Sequence, residues 1–371
     1  MSLKIFHTSD LHLGMKFSGY PDVQSMLTEA RFTALQNLVD KANEERCDLF
    51  AVAGDLFDRV YVDNKDIIRA AQMLGDFHGK LVAVLPGNHD FITTGTNDLW
   101  NIFEENTGDN VKVLTENSAE NLDHYNIDGI LYPAPCYAKH SKENCVGWIK
   151  ENKIEDDSKY HIGIAHGSLD GVSPDPDSNY FPMTHEELEN MGMDIWLLGH
   201  THIQYPENPG SMDRIFYSGT PEPDGFDCSH EGKAWILELD DSKRIHPTAL
   251  STGKYRFLHE EIELGPSCDL EQLIKASLKG NYGNTLLKLK LKGSLAIEEY
   301  EKLSQVDDFL PEIFHPIIDD DDVAEMIDQD FIDKNFTEGS FPHRLLSTLA
   351  EDEDNWEALQ TAYELICKVR K

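Results

Sequence analysis

Five short apolar runs in the first 205 residues each break off into polar residues at or just before their carboxyl ends: "LKIFHTSD", "DLFAVAG", "KLVAVLPG", "YHIGIAHG" and "MDIWLLGH". Runs of this length bounded by glycine read as buried strands. The stretches between them have a different period. "SMLTEARFTALQNLVDKANEE" carries Met26, Leu27, Ala30, Leu35, Leu38 and Val39 at near-helical spacing, and "DNKDIIRAAQMLGDF" follows the second run with a similar pattern. Strands alternating with helices predict a layered α/β fold. Downstream, "DRIFYSG" and "KAWILELD" read as strands of a second, more antiparallel sheet.

Ligands of open α/β sheets bind where the loops at the carboxyl ends of the strands converge. Those ends hold Asp10 and His12 in "SDLHLG", Asp55 and Asp58 in "GDLFD", Asn88, His89 and Asp90 in "GNHD", His166 in "AHG", and His200 and His202 in "GHTH". Each motif alone has an ordinary explanation: Asp10 or Asp55 as a cap, Gly87-Asn88 as a turn, His166 as a hydrogen-bonded structural histidine. Together they put oxygen and imidazole donors beside glycines at five strand ends, which turn chemistry does not require. Residues two apart at an extended strand end project to the same side, so Asp10 with His12, and His200 with His202, are expected to share a pocket. Asp10, His12, Asp55, Asn88, His166, His200 and His202 are too many for one four-coordinate zinc and suit two cations sharing a carboxylate. Without thiolate, that set accepts manganese, iron or zinc. His89 is the candidate general acid for a leaving alkoxide, the alternative being a residue that orients Asn88 or Asp90.

A formal charge of −36 excludes a protein that simply coats nucleic acid, yet bound cations can reverse the sign of a local site. The six cysteines, Cys47, Cys136, Cys145, Cys228, Cys268 and Cys367, lack a C-x-x-C pair, which argues against a thiolate zinc site and a disulfide framework. No stretch reaches the ~20 apolar residues of a bilayer span. A soluble cytoplasmic protein without a membrane partner is expected.

The motifs D-x-H, G-D-x-x-D, G-N-H-D, a lone H and G-H-x-H, in this order, resemble the calcineurin-like metallophosphoesterase superfamily. The resemblance implies a four-layer α/β/β/α sandwich with a small α+β capping domain at its carboxyl side and a helical tail. It implies one cation held by Asp10, His12, Asp55 and His202, another held by Asp55, Asn88, His166 and His200, and His89 at the leaving group. Asp55 then bridges the pair, and manganese is the expected metal. "SDLHLG" and "GDLFD" are similar to the SbcD-type exonucleases, as is the segment "YSGTPEPDGFDCSHEGKAWILEL". That likeness implies DNA as substrate, an SbcC-type ATPase partner, a homodimer and a role in double-strand-break repair. Rival readings are a phosphoesterase of small, non-nucleic substrates and a scaffold whose metals are structural.

The expected division is 1–252 for the phosphoesterase, 253–335 for an α+β DNA-capping unit, and 336–371 for a helical tail that grips the ATPase. "YRFLHEEIEL", "LLKLKLKG" and "EIFHPIID" read as strands of the middle unit, with "DDDD" at 319–322 as a solvated loop. In the tail, Leu345, Leu346 and Leu349, then Trp356, Leu359, Tyr363 and Ile366, form apolar stripes separated by "EDED", which serve either a partner or the chain's own core.

Overall fold

A computed structural model describes residues 2–93, 99–156, 159–175, 179–228, 230–351 and 356–370. The chain divides by its contacts into Met1–Phe257 and Leu258–Lys371. Among the described residues, the first eleven strands begin in chain order with β1 (Leu3–Thr8), β2 (Leu49–Ala53), β3 (Leu81–Leu85), β4 (Val111–Val113) and β5 (Glu120–Asn121). They continue with β6 (Gly129–Ala134), β7 (Tyr160–His166), β8 (Ile195–Gly199), β9 (Ile215–Tyr217), β10 (Lys233–Leu239) and β11 (Ile245–Ser251). One sheet runs β11-β10-β1-β2-β3-β4 and the other β5-β6-β7-β8-β9.

The two sheets face one another. Because side chains alternate along a strand, Leu3 and Ile5 of β1 enter the layer between the sheets, where they join Leu131, Ile162, Leu197 and Phe216. Phe6 points the other way, into a core with the helices α1 (Gln24–Glu44), α2 (Asn64–Gly75) and α3 (Leu99–Glu104). The outer face of the second sheet is covered by Ile149, Leu188 and Met191 from short helices and their ends. The order is therefore helix, sheet, sheet, helix, as expected. Strands with both faces covered read as continuous apolar runs, and β2 and β3 are buried at every position.

Two details depart from the sequence reading. The strands β9 and β10 lie in different sheets, β9 parallel to β8 and β10 antiparallel to β1. Both have covered faces, so their pattern carried no information about which sheet each would join. On α1, Met26 is 47 % exposed, and the buried stripe instead includes Arg31, 1 % exposed.

In Leu258–Lys371 a sheet of order β12-β13-β14 is built from β12 (Arg256–Leu264), β13 (Tyr282–Leu295) and β14 (Ile313–Glu325). The run 319–322 belongs to β14 and is not a loop. Its aspartates are mostly exposed but face a lysine-rich neighbour: Lys290 pairs in register with Asp319, Lys292 with Asp322, and the Lys290 ammonium lies 2.6 Å from the Asp322 carboxylate. Charge neutralisation across the strands permits what an isolated acidic run would not form. The helices Gln329–Asn335, Phe341–Ala350 and Trp356–Arg370 pack on one another through Ile332, Phe336, Leu346, Leu349, Leu359, Tyr363 and Ile366. The tail stripes, Leu345 apart, therefore serve a core of their own, while the Trp356 side chain and the acidic residues 352–354 of "EDED" lie outside the described residues.

Candidate metal centre

The strands β1, β2, β3, β7 and β8 all end at one edge, and the loops leaving them cross there. Asp10, His12, Asp55 and His200 take positive φ values of 56°, 45°, 53° and 97°. Side chains rarely adopt this conformation, and it concentrates at functional sites because the surroundings must enforce it. The enforcement is visible: the Asp10 N–H donates to the Gly54 carbonyl at 3.1 Å and the His12 N–H to the Asp55 carbonyl at 2.9 Å, zipping two loops together. Asp10 and His12 thus meet through left-handed loop geometry, not through an extended strand end, whereas His200 and His202 turn to different partners, Asp175 and His12, which corrects the spacing argument on both counts.

His12 Nε2 lies 3.3 Å from His202 Nε2 and 3.7 Å from Asp55 Oδ2, and His202 Nε2 lies 3.9 Å from Asp10 Oδ1. Across Asp55, His166 Nε2 is 3.3 Å from the same Oδ2 and 2.9 Å from Asn88 Oδ1. Asp55 Oδ1 accepts the His89 N–H at 2.8 Å. Asp10, His12 and His202 offer ligand atoms within 4.8 Å of one another, as do Asp10, Asp55 and His166. His12, Asp58 and His89 form a third such group among the described residues. His200 stands apart, its Nε2 turned to Asp175 at 3.0 Å while its N–H donates to the Asp10 carboxylate at 3.1 Å. The sequence thus names seven residues on one edge, six of them facing one another.

Glycines make the room. A Cβ on Gly54, whose φ is +92°, would stand 2.0 Å from His166 Nδ1, and one on Gly87 would stand 2.2 Å from Asp55 Oδ1. Asp55 and His166 are 2 % and 0 % exposed, so bare charges here are costly. Burial disfavours the Asp55 carboxylate, but His166 and His12 outweigh it and hold the carboxyl well below its usual range. Burial likewise opposes a charged His166 and His202, yet Asp55 raises the first and Asp224 with Asp10 the second, each to about 9. His12 goes the other way: burial, aided by neighbouring positive groups, holds it well below the ordinary imidazole value. Burial and the Asp55 charge push Asp90 up to about 7, while its carboxyl accepts the N–H groups of Phe57 and Gly87.

These contacts fit divalent cations. His166 Nδ1–H donates to the Ala53 carbonyl at 2.9 Å, which leaves the Nε2 lone pair facing the Asn88 amide oxygen. Two lone pairs at that distance need a shared proton or a cation between them. The donors are imidazole, carboxylate and amide oxygen, the set that cations of the manganese, iron and zinc kind accept.

Three supporting residues escaped the sequence reading. Asp224 lies 3.4 Å from His202 Nδ1 and 3.3 Å from Arg31 Nη2, and Arg31 also donates to the Leu11 carbonyl at 2.6 Å. Asp175 meets His200 as described. Arg31 had a readable signal, a charge set among Leu27, Ala30, Ala34 and Leu35 on the apolar stripe of α1. Asp175 and Asp224 sit in irregular Pro-rich segments whose folding no periodicity foretells.

The chain is 29 % identical over 213 residues to a Bacillus subtilis protein named uncharacterized metallophosphoesterase YhaO, covering 54 % of this chain and 48 % of that one. It therefore spans about half the length of that relative. It is 24 % identical over 313 residues to the SbcD component of the nuclease SbcCD from Staphylococcus epidermidis, covering 76 % of this chain and 77 % of that one. Residues 3–204, which contain the seven ligand candidates read from sequence but not Asp224, match the calcineurin-like phosphoesterase model, and the chain belongs to that family of metal-dependent hydrolases.

Proposed function

We propose that the chain is a two-cation phosphodiesterase that hydrolyses DNA. Asp10, His12, Asp55 and His202 would hold one cation and Asp55, Asn88, His166 and His200 the other, with manganese the first candidate. The observation that carries this reading is the position of Asp55 Oδ2, 3.7 Å from His12 Nε2 on one side and 3.3 Å from His166 Nε2 on the other. His200 joins the set only by giving up Asp175. When bound, such a pair supplies Lewis-acid polarisation of the phosphoryl group and acidifies a water for in-line attack.

The remaining work falls to the chain. Asp90 ties the loop after β2 to the loop after β3 by its two backbone bonds, which fixes Asp55 against Asn88. His89 Nδ1 lies 3.0 Å from the Asp58 carbonyl, so its N–H is committed there and the protonated ring presents Nε2–H to a leaving oxygen. The ring stands edge-on to His12 with centroids 4.8 Å apart, which keeps it at the rim of the centre.

DNA is favoured as substrate by the likeness to a nuclease component over 76 % of the chain. The same likeness supports exonuclease action, with endonuclease action as a further capacity, in double-strand-break repair beside an SbcC-type ATPase. It also supports a homodimer and a cytoplasmic setting; among the described residues no helix is long and apolar enough to cross a membrane. Residues 253–335 would frame DNA and 336–371 would grip the ATPase. Since the tail stripes are spent internally, that grip would use Phe341, Leu365 and Val369, which are exposed. Manganese-dependent degradation of linear DNA by the purified chain, with and without the ATPase, is the test. Cleavage of bis(p-nitrophenyl) phosphate without any action on DNA would instead make it a phosphoesterase of small substrates.

A further inference from the structure

Beside the metal centre, residues of 135–148 together with Asn117 and Phe181 enclose a cavity of about 370 Å³, within the range of small-ligand sites. Its walls include four rings, Tyr137, His140, Trp148 and Phe181. Two connections join it to the ligand loops. Asn88 Nδ2–H donates to the Lys139 carbonyl at 3.4 Å. A row of rings runs outward as well: His166 to His200 with centroids 5.5 Å apart, His200 to Tyr180 at 5.0 Å, and Tyr180 to His140 at 5.1 Å.

Phe181 is buried, while Tyr137 and His140 are exposed and Trp148 is half-buried. Tyr137 donates its hydroxyl to the Thr115 carbonyl at 2.9 Å, yet the residue is 48 % exposed. Trp148 donates its indole N–H to the Pro133 carbonyl at 3.1 Å. Flat surfaces oriented in this way stack with aromatic groups at little entropic cost.

Many lysines of the chain are matched by carboxylates, among them Lys159 with Asp123, Lys243 with Asp194 and Lys292 with Glu261. Lys139 and Lys142 are exposed, and among the described residues neither makes an ion pair. Two lysines thus sit on the loop whose Ala138, His140 and Ser141 line the aromatic cavity next to the candidate phosphate site, with the carboxylate of Glu143 in the same lining.

We propose that this cavity is a nucleoside subsite: it takes the base and sugar of a nucleotide whose phosphate lies at the metal centre, with Lys139 and Lys142 on phosphates of the adjoining strand. This rests on the phosphodiesterase reading and narrows its substrate. Stacking without base-edge readout makes the subsite tolerant of sequence.

Calorimetric titration of the full chain with thymidine 5′-monophosphate, with and without manganese, reads the subsite without turnover. Ala138→Trp fills the cavity and Tyr137→Ala removes its exposed ring, and neither position is a metal ligand. Each variant is expected to weaken nucleotide binding at least about tenfold. Each should also raise KM for thymidine 5′-p-nitrophenyl phosphate comparably while leaving bis(p-nitrophenyl) phosphate hydrolysis within about twofold. Failure of the wild type to bind the nucleotide, undiminished binding by both variants, or an equal fall on the two substrates overturns the proposal. Nucleotide binding by a wild type that hydrolyses neither ester leaves the subsite standing and removes the phosphodiesterase reading instead.

Discussion

His166 Nε2 and Asn88 Oδ1 stand 2.9 Å apart with no hydrogen to share while His166 is neutral, since its single N–H is spent on the Ala53 carbonyl. The two residues come from β7 and from the loop after β3. With its pKa raised to about 9 by Asp55, His166 carries a second proton at that contact near neutral pH, and a cation takes the place of that proton between the two atoms. Divalent cations should therefore raise the midpoint of thermal unfolding, by mass action worth about 2.7 kcal/mol at a hundredfold excess over Kd. Scanning calorimetry with manganese and then with a chelator checks this. His166→Ala should lose most of the gain, and an equal gain in that variant would remove His166 from the ligand set.

The role assigned to His89 separates by leaving group. An alkoxide needs a proton, whereas p-nitrophenolate leaves readily without one. His89→Gln is expected to lower kcat on a dinucleotide by about 10²- to 10⁴-fold, and to lower it much less on bis(p-nitrophenyl) phosphate. Steady-state kinetics on both esters, with metal content measured alongside, decides it. Equal losses accompanied by lost metal would make His89 a residue that orients Asn88 or Asp90, the alternative raised from sequence.

Gly54 is a backbone solution to a crowding problem. Its φ of +92° and the 2.0 Å that would separate an added Cβ from His166 Nδ1 leave no place for a side chain. Gly54→Ala is expected to destabilise the chain by roughly 2–4 kcal/mol and to weaken cation binding. Gly75→Ala is the control, because a Cβ there meets nothing within 4 Å. Urea denaturation of both variants, read as the shift in midpoint at constant m, gives the comparison.

What was legible from sequence follows from how information is carried. Buried strands such as β2 and β3 declare themselves by continuous apolar runs, and their abrupt polar ends locate the edge where Asp55 and Asn88 lie. The loop conformations at Asp10 and His200 were not legible, because non-glycine residues enter the left-handed region only under tertiary constraint. Nor was the destination of β9 and β10, since strands covered on both faces show no alternation. The strand status of 319–322 depended on Lys290 and Lys292, almost 30 residues earlier, so local charge pointed to the wrong structure.

His7 supplies a pH dependence that is independent of any metal. It lies on β1, fully buried between the two sheets, with Nε2 3.1 Å from the Phe216 carbonyl. Burial drives its pKa from 6.5 down to about 4, against the weaker raising effect of backbone carbonyls. Between those two values the unfolded chain binds a proton that the folded chain refuses. Stability from this group is therefore complete above about pH 6.5 and is lost as pH falls toward 4, by an amount on the order of 3 kcal/mol. His7→Gln keeps an N–H donor for the Phe216 carbonyl but cannot titrate. Its urea midpoint should fall less steeply than that of the wild type between pH 6.5 and 4.5, so the two curves converge on acidification. Parallel curves across that interval would show that His7 is protonated in the folded chain, or that it does not titrate differently on unfolding.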